Sequence, residues 1–197
     1  MTLVSSPIYL SFFLPVVSYF VGAIPTGYIL GKFLLGVDVR KLGSGNIGAT
    51  NVSRVSGKRW LFLVVFLLDF FKAFFVVAVA ARVVPSLMVL CALLVLLGNG
   101  YSCFIGFRGG KGISTSLGIV AAINPFVLLI GFLSWVFAFY FFKIASVASL
   151  AFLSMVLCSA LVMPMNLGVR LLFVFIFAWS TWRHRENLKL LWRGEEE

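Results

Sequence analysis

The sequence predicts an all-α integral membrane protein with seven transmembrane helices, its N-terminus outside and its C-terminus in the cytoplasm. Two observations lead to this fold class: a composition too apolar for a soluble domain, and the distribution of basic residues between apolar spans. Of the 197 residues, 62% are apolar and 11% are charged, and the mean hydropathy is +1.12. Soluble domains are about half apolar and about a quarter charged. We therefore interpret residues 1–197 as one polytopic membrane domain.

Six apolar stretches are long enough to cross a bilayer, because a spanning helix needs about 20 mainly apolar residues. They are Pro7–Leu35, Trp60–Ala81, Ser86–Phe104, Pro125–Phe142, Ile144–Met163 and Gly168–Trp182. A seventh candidate, Gly112–Ile123, is short and contains three hydroxyl residues. The prolines and glycines between Pro15 and Gly31 predict that the first spanning helix is broken or bent.

The basic residues favour seven spans over six. Seven spans place thirteen of the sixteen Lys and Arg residues on one side of the membrane: Lys32, Arg40, Lys41, Arg54, Lys58, Arg59, Arg108, Lys111, Lys143, Arg183, Arg185, Lys189 and Arg193. Without the seventh span, Lys143 and the basic tail would move to the opposite side. Because cytoplasmic loops carry an excess of Lys and Arg, this side is predicted to face the cytoplasm.

A polar segment, GSGNIGATNVSR, occupies Gly43–Arg54 after the first span. Its G-x-G-x-x-G spacing is that of dinucleotide-binding domains, but that fingerprint requires a strand, a helix and a soluble unit that are not predicted here. In a membrane loop, glycines let the backbone approach an anion, and successive N–H groups can surround it. A flexible re-entry loop is the alternative. The predicted phosphate ligands in this segment are Ser44, Gly45, Asn46, Asn51 and Arg54.

A second glycine-rich segment, GFRGGKG, occupies Gly106–Gly112 and leads into the short span. It is not a Walker A loop, because it is one residue short and Gly112 replaces the Ser or Thr. It still combines a glycine loop, a lysine charge and a helix N-terminus, all of which suit phosphate. We predict Gly109, Gly110 and Lys111 as phosphate ligands, with a basic cytoplasmic turn as the alternative.

Three further polar groups fall on the predicted cytoplasmic side or within spans. His184, the only histidine, and Asn187 lie three residues apart and would share one face of a helix, while Arg185 and Lys189 would share a face suited to lipid headgroups. Ser146 and Ser149 also lie three apart, a spacing that close helix packing explains equally well. Asp69 and Lys72 lie within a span, where either a structural ion pair or a site role fits.

These segments together resemble the bacterial acyl-phosphate:glycerol-3-phosphate acyltransferases of the Y type. The family's pieces recur in order as GAIPTG, GSGNIGATN, LLDFFK, GFRGGKG, SVASL and RHREN, from about Gly22 to Trp192. The resemblance implies a multi-pass enzyme of the bacterial cytoplasmic (inner) membrane whose active site opens to the cytoplasm. It implies transfer of an acyl group from acyl phosphate to the 1-hydroxyl of glycerol 3-phosphate, giving lysophosphatidic acid and phosphate in phospholipid synthesis.

The resemblance also carries functional roles to particular residues. Lys111, Ser149, His184 and Asn187 correspond to catalytic positions, and Ser44, Asn46, Asn51 and Arg54 to positions of the first loop. Three positions depart from the family pattern: Asn99 where His is usual, Ser102 where Pro is usual and Ala23 where Ser is common. These departures weaken any role for those three positions in this chain.

The expected partners are acyl phosphate, glycerol 3-phosphate and membrane lipids, with no nucleic acid. Because acyl phosphate is already activated, no metal, cofactor or covalent nucleophile is expected. Because the loops are short, no need for coenzyme A or acyl carrier protein is expected either. The attacking hydroxyl can lose its proton to His184 or to a substrate phosphate, and we favour the phosphate. A membrane transporter or channel for a phosphorylated solute is the alternative function.

Overall fold

The computed structural model describes residues 8–195, and this part of the chain forms ten α-helices with no strand. The helices are α1 (Ile8–Ala23), α2 (Thr26–Leu35), α3 (Ala49–Ser56), α4 (Arg59–Val83), α5 (Met88–Gly100), α6 (Ile113–Ile123), α7 (Pro125–Phe142), α8 (Ala145–Val162), α9 (Leu167–Arg183) and α10 (Arg185–Trp192). The predicted all-α class is confirmed for these residues.

The described helices group into two compact units, α1 to α6 before residue 124 and α7 to α10 from Asn124 onward. In the first unit, α1 packs along α5 and α4 packs along α6. In the second unit, α8 contacts both α7 and α9. Both predicted phosphate loops therefore belong to the first unit, whereas Ser149, His184 and Asn187 belong to the second.

Within the described residues, five helical segments are long and apolar enough to cross a membrane by length and composition. They are Tyr9–Leu35, Arg59–Val83, Pro85–Ile105, Pro125–Phe142 and Ala145–Val162. Two further helices are shorter: α6 is an apolar helix of 11 residues, and α9 has 17 residues and carries Arg170. Large apolar side chains cover the outer surface of both units, as at Phe33 (84% exposed) and Phe137 (66% exposed). Such surfaces suit lipid and are unfavourable in water.

The first span is two helices, as its prolines and glycines predicted. The helix α1 ends at Ala23 and α2 begins at Thr26, with Pro25 between them. Close packing holds this break against α5: a Cβ added to Gly22 would lie 2.2 Å from the carbonyl oxygen of Val95. A glycine is required there because the two backbones touch.

The short helix α6 is buried inside the first unit. Residues 115–121 are all buried, and a Cβ added to Gly118 would lie 2.1 Å from the carbonyl oxygen of Phe70 in α4. Because α6 is surrounded by protein, its hydroxyl residues do not have to face lipid. This placement explains why hydropathy alone left the helix ambiguous.

Candidate active site

The first glycine-rich loop connects α2 to α3. Its backbone depends on two glycines, because Gly43 has a φ of +57° and Gly45 a φ of +69°. These left-handed values strain any residue with a Cβ. Ser44 lies between them and is exposed, as is Gly45 itself. The loop therefore presents its Ser44–Gly45 tip to the outside of the unit.

The side chain of Asn51 holds this loop together from beneath. Its Nδ2 donates to the carbonyl oxygens of Val39 and Leu42, both at 3.1 Å, and of Asn46 at 2.7 Å. Its Oδ1 accepts from the backbone N–H of Ser44 at 2.9 Å. Asn51 is 2% exposed. The structure gives Asn51 a scaffold role, and its predicted contact with phosphate stays a prediction.

The other predicted residues of the first loop lie nearer its surface. The Oδ1 atom of Asn46 accepts from the N–H of Gly48 at 2.8 Å, which fixes the residue that caps α3. Arg54 lies in the last turn of α3 and is exposed. The first loop therefore contains two kinds of residue. The buried amide of Asn51 sets its shape, and Ser44, Gly45 and Arg54 lie at its surface.

A buried apolar cluster supports both glycine-rich loops. It consists of Val39, Ile47, Ala49, Val52, Leu61, Val65 and Ile105. Most members belong to the first loop and the helices beside it, whereas Ile105 immediately precedes Gly106 of the second loop. The Nη1 atom of Arg40 also donates to the carbonyl oxygen of Ile105 at 3.4 Å. The two predicted phosphate loops are therefore anchored on one support.

Arg40 is held in place by Asp38. Two side-chain bonds join them, Nε to Oδ1 at 2.9 Å and Nη2 to Oδ2 at 2.7 Å, and the backbone N–H of Arg40 also donates to Oδ1 at 3.0 Å. The Arg40 guanidinium also lies 4.5 Å from the centroid of the Tyr28 ring. The hydrogen bonds from Arg40 lower the pKa of Asp38 to about 2, and those to Asp38 raise the pKa of Arg40. Arg40 is therefore a tether between the loops whose charge Asp38 already balances.

The second glycine-rich loop folds back onto the end of α5. The N–H of Gly109 donates to the carbonyl oxygen of Gly100 at 3.1 Å, and that of Gly110 donates to the carbonyl oxygen of Asn99 at 2.9 Å. A Cβ added to Gly109 would lie 2.1 Å from the Asn99 carbonyl oxygen. Both glycines thus use their N–H groups to pack on α5, and their predicted contact with phosphate stays a prediction. Lys111 follows directly and is half-buried.

The three positions that depart from the family pattern meet at this junction, which sequence reasoning missed. The Oγ of Ser102 donates to the carbonyl oxygen of Ala23 at 2.5 Å. Asn99 is 6% exposed, and its side-chain Oδ1 accepts from Nζ of Lys72 at 3.1 Å. The only sequence signal was that all three positions flank the break in the first span or the second loop. The departures are therefore part of the support of the second loop.

Asp69 and Lys72 form an ion pair, which is one of the two interpretations that their spacing left open. The Nζ of Lys72 lies 2.6 Å from Oδ1 of Asp69, with side chains 8% and 11% exposed, respectively. Thr26 Oγ1 also donates to Oδ1 of Asp69 at 2.7 Å. The pair lies in the first unit between α4 and the break at Pro25.

In the second unit, Ser149 is buried in the first part of α8. Its Oγ donates to the carbonyl oxygen of Ala145, one turn earlier, at 2.8 Å. The neighbouring Ser146 is also buried. This geometry fits the packing interpretation of the serine pair, and the catalytic role of Ser149 stays a prediction.

The basic tail is two helices rather than one, because the chain turns at His184. The helix α9 ends at Arg183 and α10 begins at Arg185. His184 is 3% exposed, and its Nδ1 lies 2.7 Å from the carbonyl oxygen of Ser180. Because a carbonyl oxygen can only accept, Nδ1 carries the hydrogen, and Nε2 of the neutral ring carries the lone pair.

The turn at His184 determines where the remaining tail residues lie. Asn187 lies in the first turn of α10 and is partly exposed. Arg185 lies 4.7 Å from the centroid of the Trp182 ring, and Lys189 Nζ lies 3.2 Å from Oε1 of Glu186. These exposed charges fit the predicted headgroup face, whereas buried His184 is separated from them.

No group of three or more His, Cys, Asp or Glu side chains arranged for a metal ion occurs in residues 8–195. The expectation that the reaction needs no metal or cofactor stays a prediction.

Known proteins of similar sequence match almost the entire chain. The glycerol-3-phosphate acyltransferase family matches residues 12–194. The glycerol-3-phosphate acyltransferase of Synechococcus elongatus is 38% identical over 190 residues, covering 91% of this chain and 90% of the relative. That of Aquifex aeolicus is 38% identical over 187 residues, covering 93% and 96%, respectively.

The fold is also similar to a solved structure. The crystal structure of PlsY (YgiH), an integral membrane glycerol 3-phosphate acyltransferase, in its glycerol 3-phosphate form superposes with a TM-score of 0.90 at 37% identity. The match covers 95% of this chain and 94% of that one. The lysophosphatidic acid form of the same protein gives a TM-score of 0.86. With sequence, length and fold in agreement, this multi-pass membrane chain belongs to the glycerol-3-phosphate acyltransferase family.

Proposed function

We propose that this protein transfers an acyl group from acyl phosphate to the 1-hydroxyl of glycerol 3-phosphate, producing lysophosphatidic acid and inorganic phosphate for phospholipid synthesis. The observation that carries the proposal is the pair of glycine-rich loops anchored on one apolar cluster in a chain of this family. Both substrates bear a phosphate, and the two loops supply two cationic, backbone-rich segments. The family's solved relative is described with glycerol 3-phosphate and with lysophosphatidic acid.

The reaction needs one displacement at the acyl carbon. The 1-hydroxyl oxygen of glycerol 3-phosphate forms a bond to the carbonyl carbon, and the bond from that carbon to the phosphate oxygen breaks. The hydroxyl proton ends on the released phosphate. Donors aimed at the carbonyl oxygen and the leaving phosphate stabilise the negative charge that develops. We assign this stabilisation to Lys111, with Ser44, Gly45, Asn46 and Arg54 binding substrate phosphate.

Acyl phosphate is the donor that best fits the short connections of the chain. The longest connections between helices in the described chain are residues 36–48 and 101–112. Both are packed against helices along much of their length, which leaves little protein to grip the nucleotide of coenzyme A or the surface of acyl carrier protein. Because acyl phosphate carries its own leaving group, the proposed reaction uses no metal, cofactor or covalent intermediate.

The proposed topology has seven spans, with the N-terminus outside and the C-terminus in the cytoplasm of a bacterial inner membrane. Five apolar segments together with the shorter α6 and α9 give that number. The positive-inside rule then orients the glycine-rich loops and the basic tail toward the cytoplasm, where glycerol 3-phosphate is dissolved. The acyl donor would enter from the surrounding lipid.

His184 in its imidazolium form, in which both ring nitrogens donate, is proposed to position an anion with Asn187 rather than to act as the base. With Nδ1 on the carbonyl oxygen of Ser180, the proposal places the anion on the Nε2 side of the protonated ring. Ser149 is retained as a catalytic candidate on the resemblance alone. Either Nε2 or a substrate phosphate can accept the hydroxyl proton, since histidine titrates near about 6.5 and a phosphate monoester near about 6.

A pH–rate profile of His184→Gln separates the two proton acceptors, because glutamine keeps a hydrogen-bonding group but does not titrate. We expect reduced activity that still declines on the acid side of neutrality, because the titrating group is substrate phosphate. A profile that is flat over about pH 5.5–7.5 would identify His184 as the base instead. Wild-type enzyme measured in the same buffers is the reference.

The central experiment is product formation by purified protein in detergent, where no compartment exists for transport. Radiolabelled glycerol 3-phosphate is supplied with palmitoyl phosphate, palmitoyl-coenzyme A or palmitoyl-acyl carrier protein. We expect lysophosphatidic acid and equimolar phosphate with palmitoyl phosphate alone. Comparable kcat/KM with either thioester would overturn the assigned donor. No product with any donor would overturn the enzyme proposal and return the transporter alternative.

A further inference from the structure

The ammonium group of Lys72 donates hydrogen bonds to three different parts of the first unit. An ammonium group has three hydrogens to donate. The acceptors around Nζ are Oδ1 of Asp69 at 2.6 Å, the carbonyl oxygen of Ile24 at 3.1 Å and Oδ1 of Asn99 at 3.1 Å. With three acceptors for three hydrogens, Lys72 joins α4 to the break before α2 and to the end of α5.

The connection continues from Asn99 to the second loop. The side-chain oxygen of Asn99 accepts a hydrogen bond from Lys72. Its backbone carbonyl oxygen accepts one from the N–H of Gly110 at 2.9 Å. A Cβ added to Gly110 would lie 3.1 Å from Nδ2 of Asn99, so the amide group lies against this loop. One residue therefore links the ion pair to the backbone immediately before Lys111.

The break at Pro25 is fixed by the same network. Ile24 and Thr26, on either side of Pro25, contact Lys72 and Asp69 respectively, and Ser102 holds Ala23 from the α5 side. The loop, the break and the end of α5 are thus bound to one pair of charges that lies within a span.

The energetics indicate positioning rather than stability as the purpose of this pair. Bringing two charges out of water is costly, and replacing a buried pair by apolar residues is often neutral or stabilising. Apolar side chains would hold α4 in place equally well, but they would not fix Asn99 in one orientation. Active-site groups need such support because small displacements cost rate.

We propose that Asp69 and Lys72 are positioning residues that act through Asn99 to fix the second glycine-rich loop and thereby the placement of Lys111. The proposal rests on the proposed function for its kinetic consequence, but its structural part stands independently. Neither side chain is assigned to substrate.

The test uses the double variant Asp69→Asn/Lys72→Met in the full-length protein. This variant leaves no unpaired charge, keeps an oxygen to accept from Thr26, and removes the bond from Lys72 to Asn99. The matched control, Leu68→Met/Phe75→Met, changes two exposed residues of the same helix (47% and 58% exposed). Hydrogen exchange by mass spectrometry follows peptides that contain Gly109 and Gly110, and a thermal unfolding scan accompanies it.

We expect the second-loop peptide of the double variant to exchange roughly ten-fold faster, the scale of one lost hydrogen bond to a charged group. Peptides from the middle of α1 and α5 should exchange as in the control. An unchanged loop peptide would overturn the proposal. Faster exchange throughout the first unit would also overturn it, because the pair would then be a general structural support.

The kinetic part compares the double variant Asp69→Asn/Asn99→Asp with Asn99→Leu. The first moves the carboxylate across Lys72, so it keeps the net charge and both oxygens that accept from Lys72, whereas the second removes the oxygen at residue 99. We expect kcat/KM within about three-fold of wild type for the first and a loss of roughly ten-fold for the second. Equal kinetics for the two variants would overturn the proposal. If wild type itself forms no lysophosphatidic acid, the proposed function fails, and hydrogen exchange still decides whether the loop depends on the pair.

Discussion

In the first loop, Gly43 and Gly45 have φ values of +57° and +69°, whereas in the second loop Gly109 lies against the carbonyl oxygen of Asn99. The first loop needs glycine for its backbone conformation, and a buried amide, Asn51, supplies the bonds that shape it. The second loop also contains left-handed glycines, Gly106 and Gly112, with φ values of +68° and +87°. At Gly109, however, it needs glycine because its backbone touches a helix end, and main-chain bonds supply the attachment.

Glycine-rich loops of similar composition can therefore be preorganised in two ways. A loop held by one side chain fails when that side chain changes. A loop held by close backbone contact fails when any Cβ is added at the contact. The two loops should therefore respond to different substitutions.

The largest effect is expected at Lys111, the cation of the second loop. Lys111→Ala should lower kcat/KM by about 10²–10³-fold, the scale of one lost donor at a developing negative charge. Lys111→Arg should also be poor, because a planar fork does not replace a compact ammonium beside tightly packed glycines. Steady-state kinetics with a thermal unfolding control measure this, and near-normal rates for both variants would make the loop a simple basic turn.

The second prediction concerns close contact in the second loop. Gly109→Ala should lower kcat/KM by roughly 10²-fold, because its Cβ would push the loop off α5 and displace Lys111. Gly106→Ala is the matched control, since no atom lies within 4 Å of its added Cβ. Its positive φ should cost about 1–2 kcal/mol of stability while kcat/KM changes little. Equal kinetic losses at both glycines would contradict the contact argument.

The third prediction concerns the amide that holds the first loop. Asn51→Asp keeps Oδ1 but removes the Nδ2 donor from three carbonyl oxygens, which should lower the unfolding free energy by about 1–3 kcal/mol and lower kcat/KM as well. Ser53→Ala, in the same helix, loses only an exposed contact of 3.4 Å and serves as control. Thermal unfolding of Asn51→Asp at the wild-type midpoint would show that the amide does not hold the loop.

The smallest effect is expected at Asp38, whose folded pKa of about 2 lies below the ordinary value of about 3.9. A carboxyl group with a lowered folded-state pKa stabilises the folded protein when the pH is above the ordinary pKa. That contribution is lost as the pH falls toward 2. Wild type should therefore unfold at a slightly higher temperature than Asp38→Asn across pH 5–8, with a gap that shrinks below about pH 4. A gap that widens in acid would reverse the assigned role.

The sequence predicted the features that depend on residue type and spacing. Hydropathy located the apolar helices, and the prolines and glycines between Pro15 and Gly31 predicted a break or bend in the first one. The spacing of Asp69 and Lys72 allowed the ion pair that forms. The ordered motifs identified the family. Each of these signals is carried by the identity of a side chain, which is why a single sequence contains it.

The sequence did not predict which groups accept the hydrogen bonds. Asn51 was interpreted as a phosphate ligand, but its side-chain N–H groups donate to backbone carbonyl oxygens. Because every residue has a backbone carbonyl, no sequence pattern identifies these acceptors. Asn99 was discounted as a departure from the family pattern, although its position at the end of α5 joins the ion pair to the second loop. The turn at His184 was also missed, because nothing in the residues 183–185 interrupts a helical pattern.

The spacing of Asp69 and Lys72 has a consequence for how the protein enters its membrane. The two residues lie one turn apart in one helix, so their bond can form as soon as α4 forms. An isolated charge at the centre of an inserting helix costs about 2.5–3.5 kcal/mol, and local pairing lowers that cost. The central part of α4 can therefore leave the insertion machinery with its two charged side chains already paired. The other two hydrogens of Lys72 are donated to Ile24 and Asn99. Ile24 is synthesised before Lys72 and Asn99 after it, so this junction is complete only after α5 has been synthesised.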